Sequence, residues 1–260
     1  MTQVSDKLIE FIHYLADTAS EIIVKNFRQQ ISIDSKLDSS PVTLADREAE
    51  SEMRRLINLH FPEHGIMGEE FGNENIQNDF VWVLDPIDGT TSFISGRPIF
   101  GTLIALLFQG SPEIGLINQP ILRERWLGVK GRQTTFNGVT IATRQCLMLG
   151  DALLNTTSPD VFSAKKLNHF KMLSRECLST QYGGDCYGYA MLSSGHTDLI
   201  VETDLKPYDF CALIPIVEGA GGRICNWLGN PLKSDSGNDV IAAGDPALAD
   251  IVVRVLSKSI

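Results

Sequence analysis

The spacing of apolar residues predicts two amphipathic helices at the start of the chain. Apolar side chains recur every three or four positions between residues 8 and 27, which is the period of a helix with one buried face. A second pattern of this kind runs from near Thr43 to Leu59 and should end at Phe61, because Pro62 disfavours helical backbone in the residue before it. We expect both helices to cover a sheet.

Short apolar runs separated by turns follow, from residue 99 to residue 141. The dipeptides Gln109-Gly110 and Asn137-Gly138 mark two of the turns, and Asn-Gly is a strong hairpin sequence. Strands joined by such tight turns pair with opposite directions. This region is therefore predicted to form an antiparallel sheet.

A change of pattern near Cys146 divides the chain into two predicted halves. The predicted strands of the second half cover residues 152–155, 179–182 and 198–201, and its helices begin near Pro159, Asp185 and Asp209. Alternation of strands and helices is typical of an α/β arrangement. We therefore predict an α+β half over residues 1–145 and an α/β half over residues 146–260.

Composition bounds the class of protein. A chain of 260 residues with 43% apolar residues can bury a large core. No stretch is long and apolar enough to cross a membrane, so a cytoplasmic location is expected. Five cysteines without CxxC spacing predict neither a disulfide framework nor a zinc site. The net charge of -10 argues against nucleic-acid binding and membrane-surface attachment, since both need a positive field.

Two acids directly follow the apolar run at residues 81–84. Asp85 and Asp88 flank a proline that restricts the turn, so both carboxylates can face one point, where their repulsion needs a cation. Hard oxygen ligands of this kind suit Mg²⁺. Gly89 and Thr90 offer backbone amides at a predicted helix start, where a phosphate would bind. A solvated Asp-Pro turn is the simpler alternative for these residues.

Three further segments place acids at the ends of predicted elements. Glu69 and Glu70 follow a short apolar run beside glycines, and Glu69 is the better ligand candidate, with a solvated side chain as the alternative for Glu70. Asp46 lies three residues after Thr43, a spacing that resembles a capping box, and this structural role is its alternative. Asp209 stands at the start of an otherwise apolar helix, where an acid is unexpected unless it is paired or binds a metal. Together with the strand-end acids, these residues predict metal-assisted hydrolysis of a phosphate ester.

These four segments, in this order, resemble the inositol monophosphatase-like family of Mg²⁺-dependent, lithium-sensitive phosphatases. The run WVLDPIDGTT at residues 82–91 matches the first family signature almost unbroken. The second signature is carried by YD at residues 208–209 and EGAGG at residues 218–222. The resemblance implies a layered α/β/α/β/α sandwich of the inositol monophosphatase/fructose-1,6-bisphosphatase type, with the metals between its halves.

The resemblance also implies a role for each matching residue. The implied ligands of up to three Mg²⁺ ions are Glu69, Asp85, the carbonyl of Ile87, Asp88 and Asp209. The implied catalytic residues are Asp46, Thr90 and Glu69, with Asp46 polarising the Thr90 hydroxyl so that the pair orients and deprotonates a water. The implied phosphate and substrate contacts are the amides of Gly89 and Thr90, together with Lys36 and Asp209.

Within the family, the substrate is set before and around the second signature, and here the chain departs from inositol phosphatases. GGDCYGYA at residues 183–190 adds an acid, and ETDLKPYD at residues 202–209 has Lys-Pro-Tyr where inositol enzymes tend to end in Trp. This combined pattern resembles the histidinol-phosphate phosphatases of the same superfamily. Histidinol carries an ammonium group and an imidazole, so we expect Asp185 and Glu202 to receive that cationic end. A helix N-cap is the alternative role of Asp185.

Three hypotheses about function follow. The leading one is an Mg²⁺-dependent phosphomonoesterase that converts L-histidinol phosphate to L-histidinol and phosphate in histidine biosynthesis. The second is an inositol-1-monophosphatase or a phosphatase of other small phosphate esters. The third is a non-enzymatic scaffold associated with RNA or polymerase, and the acidic balance weighs against it. The expected partner is a small phosphate monoester, with neither nucleic acid nor membrane, and the resemblance implies a homodimer.

Overall fold

Two large β-sheets, the helices packed on them and one small two-stranded pair lie in the described part of this computed structural model, residues 4–29, 33–35 and 41–257. The helices are α1 (Asp6–Asn26), α2 (Leu44–His60), α3 (Thr90–Ile94), α4 (Ala164–Glu176), α5 (Asp185–Ser193), α6 (Pro207–Phe210), α7 (Leu213–Gly219) and α8 (Pro246–Ser257). A separate antiparallel pair consists of β1 (Ile33–Ser35) and β2 (Pro41–Thr43). The first sheet contains β3 (Gly65–Gly68), β4 (Gly72–Glu74), β5 (Phe80–Asp88), β6 (Gly101–Phe108), β7 (Ser111–Gln119), β8 (Glu124–Val129), β9 (Thr135–Phe136) and β10 (Val139–Thr140). The second sheet contains β11 (Leu153–Thr156), β12 (Ser179–Tyr182), β13 (Leu199–Glu202), β14 (Arg223–Cys225) and β15 (Val240–Ala243).

The strands of the first sheet follow the order β10-β9-β8-β7-β6-β5-β3-β4. Neighbours are antiparallel except β3 and β5, so the sheet as a whole is mixed. The antiparallel arrangement predicted for residues 99–141 is confirmed, because strands β6 to β10 pair only in opposite directions. The parallel pair arises because β4 turns back along one side of β3 and the chain then returns along the other side as β5. The two predicted turns, Gln109-Gly110 and Asn137-Gly138, join β6 to β7 and β9 to β10 with positive φ at each residue, as tight hairpins require.

The second sheet is also mixed, in the order β12-β11-β13-β15-β14. Strand β11 is parallel to both of its neighbours, whereas β15 is antiparallel to both of its own. The helix expected from near Pro159 begins later, at Ala164. Residues Pro159–Val161 form a separate 3₁₀ turn, and the Ser163 hydroxyl then accepts a hydrogen bond from the Lys166 amide at the start of α4.

The helices and sheets stack in five layers. Helices α1 and α2 pack on one face of the first sheet, where Leu15, Met53 and Trp82 share one core. Helices α5 and α7 lie between the two sheets in a second core. Helices α4 and α8 cover the outer face of the second sheet, where Phe170 and Leu248 are buried. The predicted α/β/α/β/α sandwich is therefore confirmed.

The predicted boundary between residues 145 and 146 falls between the two sheets, because β10 ends at Thr140 and β11 begins at Leu153. The helices of the middle layer belong to the second half of the chain but pack against the first sheet as well. The division into two domains therefore stays a prediction. Among the described residues, no helix combines the length and the apolar character needed to cross a membrane.

The middle layer approaches the first sheet so closely that glycine is required there. A Cβ atom at Gly115 on β7 would lie 1.9 Å from the carbonyl oxygen of Ala212, and one at Gly128 on β8 would lie 2.4 Å from the amide nitrogen of Ile216. A side chain at either position would push α7 away from the sheet. Because α6 directly precedes α7 and contacts β5, this packing sets how near the acids on α6 and β5 lie to each other.

Candidate metal centre

The end of β5 presents two acids to the same region. In a regular strand, residues three positions apart face opposite sides of the sheet, but the pairing of β5 with β6 is interrupted between Asp85 and Asp88. Pro86 lies in this irregularity, and its carbonyl accepts a hydrogen bond from the Thr102 hydroxyl at 2.8 Å. The irregularity allows both carboxylates to approach α6.

Asp209 on α6 completes a three-acid cluster. One carboxylate oxygen each from Asp85, Asp88 and Asp209 lie within 4.8 Å of one another. The amide of Lys206 donates to Asp209 Oδ2 at 2.7 Å, which fixes this side chain at the helix start. The carboxylate of Glu69 lies close enough to Asp85 for its negative charge to raise the pKa of that group. The four side chains predicted as metal ligands therefore meet, although they come from three separate segments of the chain.

The cluster concentrates negative charge at a site where Asp85 is buried and Asp88 and Asp209 are only partly exposed. Burial raises the pKa of Asp85 well above its ordinary value, and the neighbouring charges of Glu69 and Asp88 raise it further. Burial also raises the pKa of Asp88. It raises the pKa of Asp209 to about 7. Acids held together in this way need either protons or a cation at neutral pH.

The donor set fits Mg²⁺. Asp85 is 1% exposed, yet its Oδ1 atom has no hydrogen-bond partner, and the same holds for Oδ1 of the fully buried Asp46. A buried acceptor without a partner is costly unless a group outside the protein binds it. Carboxylate oxygens are ligands that Mg²⁺ prefers. The number of ions, predicted to be up to three, stays a prediction.

The predicted catalytic pair, Asp46 and Thr90, is held by local hydrogen bonds. Asp46 Oδ2 accepts from the amide and the hydroxyl of Thr43 at 2.9 and 2.5 Å, which is the predicted capping box at the start of α2. Burial raises the pKa of Asp46. The Thr90 hydroxyl donates to the carbonyl of Ile87 at 3.1 Å. The polarisation of Thr90 by Asp46 stays a prediction, as does metal binding by the Ile87 carbonyl.

Gly89 joins β5 to α3 in the left-handed conformation, with φ at 88°, which glycine adopts without strain. A Cβ atom at Gly89 would lie 2.7 Å from Asp185 Oδ2. The Asp185 side chain therefore lies directly over the turn whose Gly89 and Thr90 amides are predicted to bind phosphate. Burial raises the pKa of Asp185 to about 7, and the charge of Glu202 adds to this. The alternative N-cap role of Asp185 is wrong, because Gly184 holds that position and Asp185 is the first residue of α5.

A cavity of about 170 Å³ opens beside the cluster. Its acidic lining residues are Asp88, Asp185, Glu202, Asp204 and Asp209. Among the residues that the structure describes, no lysine or arginine lines it. A cavity with this lining attracts cations. A larger cavity of about 660 Å³ lies beside α1 and β8 and includes none of the clustered acids, so we place the chemistry at the smaller one.

Glu202, which was predicted to contact the substrate, already accepts hydrogen bonds from other side chains and backbone of the protein. Glu202 is 4% exposed, and its Oε1 accepts hydrogen bonds from the amide and hydroxyl of Thr157 at 2.9 and 2.6 Å. Its Oε2 accepts from the Tyr189 hydroxyl at 2.7 Å. Glu202 therefore supports the cavity wall and has less acceptor capacity left for a substrate than predicted. Lys36 lies outside the described residues.

Glu50 on α2 is a buried acid that the sequence prediction did not include. Its side chain is fully buried and accepts hydrogen bonds from the backbone amides of Glu70 and Phe71 at 2.8 and 3.1 Å. Arg54 donates to the same carboxylate at 2.8 Å. The available signal was its place among Ala45, Ala49 and Met53, the apolar stripe of α2.

Comparison with known proteins agrees with the geometry. The model of the inositol monophosphatase family matches residues 5–260. The chloroplastic bifunctional phosphatase IMPL2 of Arabidopsis thaliana is 49% identical over 240 residues, which are 89% of this chain and 69% of that protein. A histidinol-phosphatase of Chlorobaculum parvum is 34% identical over 249 residues, 93% of each chain. A solved structure of an inositol monophosphatase from Zymomonas mobilis superposes with a TM-score of 0.91 at 49% identity, over 98% of this chain and 99% of that one. The chain therefore belongs to the inositol monophosphatase family, whose members are Mg²⁺-dependent phosphatases of small phosphate monoesters.

Proposed function

We propose that this chain hydrolyses L-histidinol phosphate to L-histidinol and phosphate, the reaction of histidine biosynthesis, with Mg²⁺ at the acid cluster. The observation that carries the proposal is the position of Asp185, whose carboxylate lies over Gly89 and faces a cavity with four other acids in its wall. Histidinol has an ammonium group and an imidazole, and charged hydrogen bonds to carboxylates recognise such groups. Inositol is a neutral polyol and gains no comparable ion pair.

The relatives support this substrate and its alternative to different degrees. The histidinol-phosphatase at 34% identity aligns over nearly the whole length of both chains, which supports the proposal. Hydrolysis of inositol 1-phosphate is the alternative, and the observation in its favour is the 49% identity to the Zymomonas mobilis inositol monophosphatase. The relative from Arabidopsis thaliana is named only as a bifunctional phosphatase. A homodimer and a cytoplasmic location stay predictions.

Three groups of residues would bind the metal, the phosphate and the cationic end of the substrate. Mg²⁺ held by Glu69, Asp85, Asp88 and Asp209, with the Ile87 carbonyl, would neutralise the charge of the phosphate and lower the pKa of the attacking water. The amides of Gly89 and Thr90 at the start of α3 would hold the phosphate oxygens. Asp185, and Glu202 with its remaining acceptor capacity, would hold the cationic end of the substrate, which orients the ester oxygen as the leaving group. A second water would supply the proton that this oxygen needs to leave as the hydroxyl of histidinol.

Asp46 is the base in this proposal. Its Oδ2 atom is engaged by Thr43, which fixes the side chain, while its Oδ1 atom is buried and has no hydrogen-bond partner. Oδ1 would accept a proton from a water that the Thr90 hydroxyl orients. Burial raises the pKa of Asp46, which makes the carboxylate a stronger base near neutral pH.

The test is a comparison of kcat/KM for phosphate release from histidinol phosphate, inositol 1-phosphate, fructose 1,6-bisphosphate and 3'-phosphoadenosine 5'-phosphate in the presence of Mg²⁺. We expect histidinol phosphate to rank first by on the order of 10-fold or more, since a charged hydrogen bond contributes about 1.5–3 kcal/mol. A higher kcat/KM on inositol 1-phosphate would reject the proposed substrate and leave the metal-dependent hydrolysis intact.

A further inference from the structure

The segment that carries Glu69 is held at every residue around it. The amide of Glu69 donates to the carbonyl of Leu84 on β5 at 3.1 Å. The next two amides, of Glu70 and Phe71, donate to the carboxylate of Glu50. Arg54 donates to the carbonyl of Gly72. One helix, α2, therefore supplies most of the side-chain contacts that fix this turn.

Glu50 also lies against the residue before Glu69. A Cβ atom at Gly68 would lie 2.0 Å from Glu50 Oε1, so the carboxylate occupies the space that a side chain would take. Glu50 is fully buried and its charge is balanced by Arg54, whose side chain is 12% exposed. Burial of a carboxylate destabilises a protein unless its oxygens accept hydrogen bonds. Both carboxylate oxygens of Glu50 accept hydrogen bonds.

Asp46 and Glu50 lie one helical turn apart on the buried face of α2. Helix α2 thus carries the proposed base, Asp46, in its first helical turn. In its second helical turn it carries Glu50, which holds the loop that bears Glu69. The Glu69 carboxylate in turn lies beside Asp85 in the acid cluster, close enough for its charge to act on that carboxyl group. The contacts form a continuous connection from Glu50 to the metal centre.

We propose that Glu50 is a positioning residue for Mg²⁺ binding: it binds the two backbone amides after Glu69 and packs against Gly68 before it, so that the Glu69 carboxylate is held beside Asp85. This inference rests on the proposed metal site. A group that orients a metal-binding side chain raises the affinity for the metal, because that side chain then loses less conformational freedom when the metal binds. Without Glu50, the amides of Glu70 and Phe71 are left without their acceptor and the turn is free to move.

The test is a calorimetric titration of the purified chain with Mg²⁺ alone. Glu50→Gln removes the charge and leaves one acceptor for two amides, so we expect the Kd for Mg²⁺ to rise on the order of 10- to 100-fold. The matched control is Glu52→Gln, the same change two residues along the same helix. Glu52 pairs with Arg55 at the surface at 2.7 Å, and the loss of such a pair should leave the Kd within about twofold.

Activity provides a second readout. Saturating Mg²⁺ should restore most of the kcat of Glu50→Gln, with little change in the substrate KM, because a positioning role acts through metal occupancy. A wild-type Kd in folded Glu50→Gln would overturn the proposal. If circular dichroism shows that Glu50→Gln does not fold, Arg54→Gln decides instead: a Kd raised on the order of 10-fold supports the proposal, and an unchanged Kd overturns it.

The failure of this inference is distinguishable from the failure of the proposed function. A wild-type chain that binds no Mg²⁺ would overturn the metal site and the Glu50 role together. A chain that binds Mg²⁺ but prefers inositol 1-phosphate would lose the proposed substrate and keep the role of Glu50.

Discussion

Removal of Mg²⁺ should destabilise the protein more at high pH than at low pH. Two unit charges 4.8 Å apart repel by about 3.5 kcal/mol at an effective dielectric constant of about 20, and the clustered oxygens of Asp85, Asp88 and Asp209 lie within that distance of one another. A typical free energy of unfolding is only about 5–15 kcal/mol. The metal-free cluster therefore cannot remain fully ionised, and it takes up protons.

The sign of the pH dependence follows from Asp209. Its pKa rises from 3.8 to about 7 on folding. This group therefore favours the folded state at low pH, and that contribution is lost as the pH rises through about 7. Between about pH 5.5 and about pH 8.5 the loss is on the order of 2 kcal/mol for this one carboxyl group. For a chain of this length, such a loss lowers the melting temperature by roughly 4–8 °C.

Differential scanning calorimetry in EDTA and in excess Mg²⁺, at both pH values, measures this difference. We expect Mg²⁺ to raise the Tm by several degrees more at the higher pH, because the bound cation takes the place of the protons. Asp209→Asn should reduce this pH dependence, whereas Asp235→Asn, at an exposed position, should retain it. An equal gain in Tm from Mg²⁺ at both pH values would refute the reasoning.

Three further substitutions have defined outcomes. Asp88→Asn should lower kcat in Mg²⁺ by at least about 100-fold, because a metal ligand loses its charge; steady-state activity close to wild type would contradict its assignment as a ligand. Asp185→Asn should lower kcat/KM on histidinol phosphate roughly 10- to 100-fold and change inositol 1-phosphate little; equal losses on both substrates would remove its role in specificity. Gly115→Ala should lower the free energy of unfolding by about 1–3 kcal/mol in urea, because its Cβ would meet Ala212; an unchanged midpoint would mean that α7 can move away freely.

The elements with local signals could be predicted from the sequence. The apolar period of α1 and α2 depends only on residues within a few turns, and both helices are present. The Asn137-Gly138 turn takes the left-handed conformation that its residues favour. The helix expected from near Pro159 begins five residues later, because Ser163 provides a hydroxyl cap and Pro159 opens only a 3₁₀ turn.

The features that depend on distant contacts could not be predicted in the same way. A charged residue such as Glu50 is usually solvated, and its burial depends on amides some 20 residues further along the chain. The hydrogen bonds that Glu202 accepts from Thr157 join residues 45 positions apart. The acids of the cluster were predicted as a set through family motifs, whereas their approach within 4.8 Å depends on a strand irregularity and on glycine packing under α7.

The central claim is that Asp85, Asp88 and Asp209, with Glu69 beside them, form a binding site for divalent metal. The most direct measurement is a crystal structure of the protein soaked in Mn²⁺, with data collected to record anomalous scattering from the metal. We predict anomalous difference peaks among these four carboxylates, at oxygen distances typical of a hard divalent ion. Ordered carboxylates with no anomalous peak among them would contradict the account.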